Sequence, residues 1–168
     1  VPSAERDGTV RVVRALIDRG LTIAVAESLT GGMLTAELTS VPGASAVVLG
    51  GAVVYATELK HSLLGVDAAL LAAEGPVHPK VARQLAAGVR ERLAVDGRPA
   101  DLGVATTGVA GPDPQGGQPV GTVYLGIATA AGARSIALSL SGNREEIRRR
   151  TVAEAVGALA SELGITIV

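Results

Sequence analysis

The chain contains no cysteine, no tryptophan and no phenylalanine, and its only aromatic residues are Tyr55 and Tyr124. Without cysteine there is neither a disulfide framework nor thiolate chemistry, and the expected compartment is the cytoplasm. Lysine is almost as scarce. Of fifteen basic residues only Lys60 and Lys80 are lysine, and the rest are arginine. A codon bias toward Arg and Ala accounts for the background, and against it each retained Lys or Tyr asks for a reason. No apolar run reaches spanning length, so no membrane helix is expected. The opening stretch VPSAERDGTV carries both signs of charge and lacks an apolar signal core. A net charge of −1 supplies no field for gathering nucleic acid, which is not expected as a direct partner. No His/Asp/Glu cluster has the spacing of a metal site, and neither metal nor cofactor is expected.

What is present is ordinary globular material. The hydrophobic share is 48% and the charged share 18% over 168 residues, which fits one domain, 1–168, with a full core. Val10, Val13, Leu16 and Ile17 form a helical stripe that Gly20 ends. Residues 21–26 read as a buried strand and 33–38 as a helix. Residues 41–45, VPGAS, are a turn. Residues 46–54 read as a second strand, in which Gly50 and Gly51 predict a bulge or a close backbone approach. Thr57 is placed to cap a short helix through Leu64. Residues 79–94 form an amphipathic helix with Pro79 in its first turn. A third strand covers 102–106, and 120–129 with 134–140 read as a hairpin. Asn143 is placed to cap a last helix over 145–163. Alternating helices and apolar strands define an α/β class: a mixed sheet of about five strands with helices on both faces.

Chemistry concentrates where AESLTGG joins the first strand to the next helix. In open α/β sheets ligands bind beyond the carboxyl ends of strands. Ser28 and Thr30 sit at such an end, and Gly31 and Gly32 let a backbone come close to a bound group. The helix start can hold a phosphate, or the oxyanion formed when Ser28 attacks a carbonyl. A purely structural reading, in which Ser28 or Thr30 caps the helix, explains the same residues. No standard nucleotide fingerprint is present. A serine nucleophile needs a base. His78 lies between prolines, as in a surface turn, and His61 neighbours Lys60. Lys60 is the stronger candidate, because a buried lysine can lose its proton and an arginine cannot. Tyr55, at the end of the second strand, is placed to bridge or relay between hydroxyl and amine. Glu27 can orient Lys60, bond a substrate or simply end the strand.

A second candidate region is TTGVAGPDPQGGQPVGT. Thr106, Thr107 and Gly108 end the third strand, and a loop rich in glycine and proline follows. A plain surface loop has the same composition. Arg144, at the start of the last helix, is placed to hold a phosphate. Arg148, Arg149 and Arg150 read as solvated or subunit-facing, because three consecutive arginines cannot face one ligand. The apolar residues of TVAEAVGALASEL suggest a surface for a second copy, hence a homodimer.

AESLTGG, VPGAS, YATELKHSLLGV, TTGVAGP, PVGTVYLG and GNRE occur in this order, and from about Thr9 to Leu163 the chain resembles the CinA C-terminal domain family. Its enzymatic members are nicotinamide-nucleotide amidohydrolases (PncC type). The resemblance implies a three-layer α/β/α sandwich on a mixed, mostly parallel sheet. It implies hydrolysis of nicotinamide mononucleotide to nicotinate mononucleotide and ammonia, in pyridine-nucleotide salvage. The family's catalytic serine falls on Ser28, its tyrosine on Tyr55 and its lysine on Lys60. Its TGxAGP segment falls on Thr107, Gly108, Val109, Ala110, Gly111 and Pro112, and is expected to line the nucleotide site. Asn143 stands where the family usually has Asp, and the loop lacks the family's usual charges. The additional N-terminal domain of many members is not expected in this chain.

The expected mechanism places the phosphate near Arg144 and ligand hydroxyls near Thr107. Lys60 takes the Ser28 proton, with Tyr55 holding or relaying it, and amides around Thr30 to Gly32 receive the oxyanion. Two rivals explain the same residues: a nucleotide-binding module without chemistry, and a partner-binding domain of a competence- or DNA-damage-related protein.

Overall fold

Helices and strands alternate through most of the chain, and the computed structural model describes residues 3–167. Helix α1 covers Ser3–Arg19, strand β1 Ile23–Glu27, α2 Met33–Thr39 and β2 Val48–Val53. Three helices follow, α3 (Thr57–Ser62), α4 (Ala68–Glu74) and α5 (Pro79–Arg92). Strands β3 (Leu102–Gly108), β4 (Thr122–Thr129) and β5 (Gly132–Ser139) lead to α6 (Arg144–Glu162). Each strand read from the sequence is present within a few residues. Helix α4 was not anticipated. Its signals are nonetheless plain: Asp67 caps it by accepting from the Ala69 amide at 2.9 Å, and Gly75 closes it at φ 74°.

The five strands form one sheet in the order β2-β1-β3-β4-β5. β1 runs parallel to β2 and to β3, and β4 is antiparallel to both β3 and β5. Four strands therefore point one way and β4 alone runs against them. From β1 the chain crosses to β2 on one side and then returns to β3 on the other. The crossing helices lie on opposite faces. Leu34 and Leu38 of α2 pack with Val12 and Leu16 of α1 and Ile147 and Leu159 of α6, whereas Val81, Leu85 and Val89 of α5 form the second core with Val54, Leu64 and Val66. This is the three-layer sandwich. The gap between β1 and β3 is its topological switch point, where open sheets of this kind bind ligands.

Glycine sets the spacing of the layers. A Cβ on Gly103 of β3 would lie 2.1 Å from the Ala86 carbonyl oxygen, and one on Gly126 of β4 2.0 Å from that of Ala82. Helix α5 therefore rests its backbone directly on the middle of the sheet, which leaves no room for a ring and fits the near absence of aromatics. The glycine pair in β2 does both things expected of it. Ile23 pairs with Val48 and Ala24 with Gly50, which leaves Leu49 as an extra residue. At Gly51 a Cβ would stand 2.2 Å from Thr35 Oγ1.

Asn143 caps α6 as expected. Its Oδ1 accepts from the Glu145 and Glu146 amides at 3.0 and 3.1 Å, and Glu146 returns a bond to the Asn143 amide at 2.7 Å. An amide oxygen serves here as well as a carboxylate, so Asn143 needs no negative charge. Thr57 does not cap α3. That position belongs to Ala56, without a side-chain bond, and Thr57 begins the helix. The apolar face of α6 offers no surface for a second copy either. Val152, Ala155, Val156 and Leu159 are buried in the core shared with α1, so the expectation of a homodimer loses the feature on which it stood.

Two glycine substitutions should act in opposite directions. Gly126→Val forces α5 off the sheet and should cost at least about 1–3 kcal/mol. Gly157→Ala, in α6 with only Ile167 Cδ1 at 4.0 Å from the new carbon, should gain roughly 0.5–1 kcal/mol. Urea denaturation of both variants checks the pair.

Candidate active site

The carboxyl ends of β1, β2 and β3 open onto one cleft, to which Ser28, Tyr55 and Thr107 all contribute. Ser28 stands immediately after β1. Its amide donates to the Thr106 carbonyl at 3.1 Å, which ties the nucleophile candidate to the end of β3. Thr106 Oγ1 lies 2.8 Å from Thr30 Oγ1, a second strut between the same two segments.

Lys60, from α3, reaches Ser28 from the other side. Its Nζ lies 3.1 Å from Ser28 Oγ, 2.6 Å from the Val54 carbonyl oxygen and 3.4 Å from that of Tyr55. Only 1% of the residue is exposed, and it forms no ion pair among the described residues. Removal from water disfavours the ammonium form, and burial lowers its pKa from 10.5 to about 8. The three partners differ in kind. Two are carbonyls, which only accept. The third is a hydroxyl, which also donates. A neutral Lys60 therefore keeps two N–H bonds to Val54 and Tyr55 and turns its lone pair to the Ser28 proton.

The opposite wall comes from the loop after β3 and from α6. Thr107, Gly108, Val109, Ala110 and Gly111 line it. Arg144 donates to the Gly111 carbonyl at 2.7 Å and to the Tyr55 hydroxyl at 3.1 Å. Asp113 brings a carboxylate to the same rim, and Pro76 and Val77 close the cleft from the loop before α5. Among the described residues no three His, Asp or Glu side chains converge as metal ligands, and no helix is long and apolar enough to cross a membrane.

The model of the CinA C-terminal domain matches residues 6–163. The chain belongs to the CinA C-terminal domain family. It is 52% identical over 145 residues to a CinA-like protein of Frankia casuarinae, covering 86% of this chain and 32% of that one. It is 49% identical over 142 residues to a putative competence-damage inducible protein of a Geobacillus species, covering 84% and 33%. The chain thus spans about a third of the length of these curated relatives. Solved structures match it over nearly their full length. A competence/damage inducible protein of Agrobacterium tumefaciens superposes with a TM-score of 0.89 at 33% identity, covering 98% of both chains. A CinA superfamily protein of Escherichia coli gives 0.88 at 27% identity, covering 96% of this chain and 92% of that one.

In this CinA domain the residues expected at the site divide into two groups. Ser28, Tyr55, Lys60, Thr107, Gly108, Ala110, Gly111 and Arg144 share the cleft. Glu27, Thr30, Gly31 and Gly32 do not line it. Glu27 is fully buried. One of its oxygens accepts from the Leu34 amide at 2.8 Å, and the other from the Thr35 amide at 3.0 Å and the Thr35 hydroxyl at 2.7 Å. It fills the N-terminus of α2, so neither Ser28 nor Thr30 caps that helix, and no anion can use it. Thr30 is turned onto Thr106, and the Gly31 amide is spent on the Ser28 carbonyl at 3.1 Å.

One further expectation needs correction, and another is narrowed. The Tyr55 hydroxyl stands on Arg144, and only the Tyr55 backbone touches Lys60, so Tyr55 is no relay between amine and hydroxyl. Thr107 donates its proton to the Pro76 carbonyl at 2.7 Å and can only accept from a ligand. His61 and His78 are both committed elsewhere, to the Val66 carbonyl and to the start of α5. Sequence reasoning also misplaced Arg148. It is half-buried and donates to the Leu29 carbonyl at 2.8 Å and the Thr30 carbonyl at 3.2 Å. Its signal was available: Arg144 and Arg148 are four residues apart on one helix face, whereas Arg149 pairs with Glu145 and Arg150 bonds Ser141.

The buried amine makes stability depend on pH. Below about pH 8 folded and unfolded chains both carry the ammonium, and the full cost of burying it is present. Between about 8 and 10.5 the unfolded chain holds a proton that the folded chain has released, so stability rises with pH. Lys60→Met should flatten that rise, as read from urea midpoints of both proteins across this range.

Proposed function

We propose that this CinA domain hydrolyses the carboxamide of nicotinamide mononucleotide to nicotinate mononucleotide and ammonia, with Ser28 as nucleophile and Lys60 as its base. One observation carries the reading: the buried Lys60 amine has two carbonyl partners and a single partner able to donate, the Ser28 hydroxyl. That arrangement leaves the lone pair of the neutral amine for the one partner with a proton to give, as proton abstraction requires.

The rest of the cleft suits the substrate. Arg144 has N–H groups beyond the two bonded to Gly111 and Tyr55, and these can meet the phosphate. Asp113 offers a negative charge to the pyridinium ring, and Thr107 an acceptor to a ribose hydroxyl. In the first step Ser28 Oγ bonds to the carboxamide carbon, the carbonyl π pair moves to oxygen, and the Ser28 proton passes to Lys60. Collapse of the tetrahedral adduct breaks the C–N bond, and Lys60 returns the proton to the departing nitrogen as ammonia. Water then attacks the acyl-serine, Lys60 taking its proton and returning it to Ser28.

Ammonia release from the mononucleotide tests the reading. Wild type should release it, with kcat/KM rising tenfold per pH unit below about pH 8 and levelling above, as Lys60 loses its proton. Ser28→Ala and Lys60→Arg should each lose about 10²–10⁴-fold while remaining folded. A wild type that binds the nucleotide without releasing ammonia would make the domain a binding module. A fully active Lys60→Arg would remove the lysine from the mechanism.

A further inference from the structure

The attack on a carboxamide needs a donor for the oxygen that becomes negative. Of the amides expected for that task, the one at Gly31 is spent on a carbonyl, and Thr30 and Gly32 do not line the cleft. Ser28 spends its amide on Thr106 and Gly31 spends its own on the Ser28 carbonyl. Thr30 is fully buried, and α2 is filled by Glu27. Leu29 remains. It lines the cleft, and its amide donates to no acceptor among the described residues. The residue after a nucleophile supplies the oxyanion donor in other strand-to-turn nucleophile sites.

The Leu29 amide stands at the end of a chain of peptide units. Arg148 donates to the Thr30 carbonyl at 3.2 Å. The N–H of that same peptide unit belongs to Gly31, and it donates to the Ser28 carbonyl at 3.1 Å. The N–H of that next unit is the Leu29 amide. Across a trans peptide the carbonyl and the N–H point in opposite directions, so each bond fixes the aim of the next. Each bond also polarises the next, and a cation at the head strengthens the whole series. A second Arg148 bond, to the Leu29 carbonyl at 2.8 Å, anchors the turn from its other side. Gly31 makes the approach possible, since it adopts φ 59° and a Cβ there would lie 3.3 Å from the guanidinium. No carboxylate pairs with Arg148 among the described residues, so its charge is not neutralised locally by an ion pair.

We infer that Arg148 is a positioning residue which aims and polarises the Leu29 amide, through the Thr30–Gly31 and Ser28–Leu29 peptide units, as the oxyanion donor for attack by Ser28. The inference rests on the hydrolase reading. It makes α6 responsible for both sides of the cleft: Arg144 holds the loop that faces the ligand, and Arg148, one turn later, holds the turn that carries the nucleophile.

Steady-state kinetics and an aldehyde analogue test it together. In the 3-formylpyridine analogue of the mononucleotide, Ser28 Oγ bonds to the aldehyde carbon, the carbonyl π pair moves to oxygen, and the Ser28 proton passes to Lys60. The hemiacetal oxygen then occupies the oxyanion position. Arg148→Met should lower kcat on the order of tenfold, a part of the 10²–10³-fold lost when a whole donor is removed. KM should stay within about twofold, and the aldehyde should bind about tenfold more weakly while affinity for the product is unchanged. Arg148→Lys keeps the charge and loses the two-pronged bond, and should fall between Met and wild type. If Arg148→Met does not fold, Arg148→Lys carries the same comparison of aldehyde against product. Arg149→Met, which disrupts only an exposed ion pair, should match wild type. Active wild type with unchanged kcat and aldehyde affinity in the Arg148 variants overturns the inference and leaves the hydrolase reading standing. Equal loss of aldehyde and product affinity overturns it too, since a merely structural role predicts that. Inactive wild type overturns both readings.

Discussion

An amine buried without a carboxylate is the constraint on which the site depends. A carboxylate beside Lys60 would stabilise the ammonium form and return its pKa to the ordinary range or above it. The nearest acid in the sequence to the nucleophile is Glu27, one residue before Ser28, and it would be the natural partner. It is unavailable because the first turn of α2 has claimed both of its oxygens. The cap and the base are therefore one arrangement. Glu27 satisfies amides that would otherwise go unpaired at a buried helix start, and in doing so it leaves Lys60 to two carbonyls and a hydroxyl.

The fold makes that arrangement possible through topology. β2 and β3 flank β1 on opposite sides, and the cleft lies at the carboxyl ends of these three strands, where open sheets bind ligands. Lys60 enters from the segment after β2, and its two carbonyl partners, Val54 and Tyr55, belong to the last turn of chain before α3. The amine is thus held by the strand end that delivers it. Close packing of α5 on Gly103 and Gly126 sets the layer spacing at β3 and β4, and the Val54 and Tyr55 carbonyls hold the Lys60 amine 3.1 Å from Ser28 Oγ.

The fold was largely legible. Strands announced themselves as short apolar runs, and the two glycines of β2 correctly signalled a bulge and a close approach. Ser28 and Arg144 could be picked out because hydroxyl and guanidinium stood at element ends, and Lys60 because a lysine, unlike the arginines around it, can lose its proton. The failures share a cause: sequence gives the position of a polar group but not which of several nearby partners takes it. Glu27 could face a lysine, a ligand or a helix start, and only the relative placement of β1 and α2 decides. Tyr55 was assigned to Lys60 through its hydroxyl, whereas the contact is through its backbone. Arg148 was set aside with its neighbours because three consecutive arginines cannot all face one ligand, although the same helical geometry lets one of the three face inward. Pro76 and Val77 carried no signal, since nothing local tells that a loop before α5 will reach the end of β3.

Scarcity of lysine pointed to Lys60, yet scarcity alone was not sufficient. Lys80 is equally rare and lies exposed at the start of α5. What separates the two is burial beside a hydroxyl. The contrast with Arg148 completes the point. At position 60 the chain needs a cation that can be discharged near neutral pH, and a guanidinium never can. At position 148 it needs one that stays charged and presents two fixed donors to two successive carbonyls, and an ammonium presents its charge as a point without a fork. In a chain where arginine is the default base, the exchange of one for the other at either position would keep the net charge and lose the chemistry.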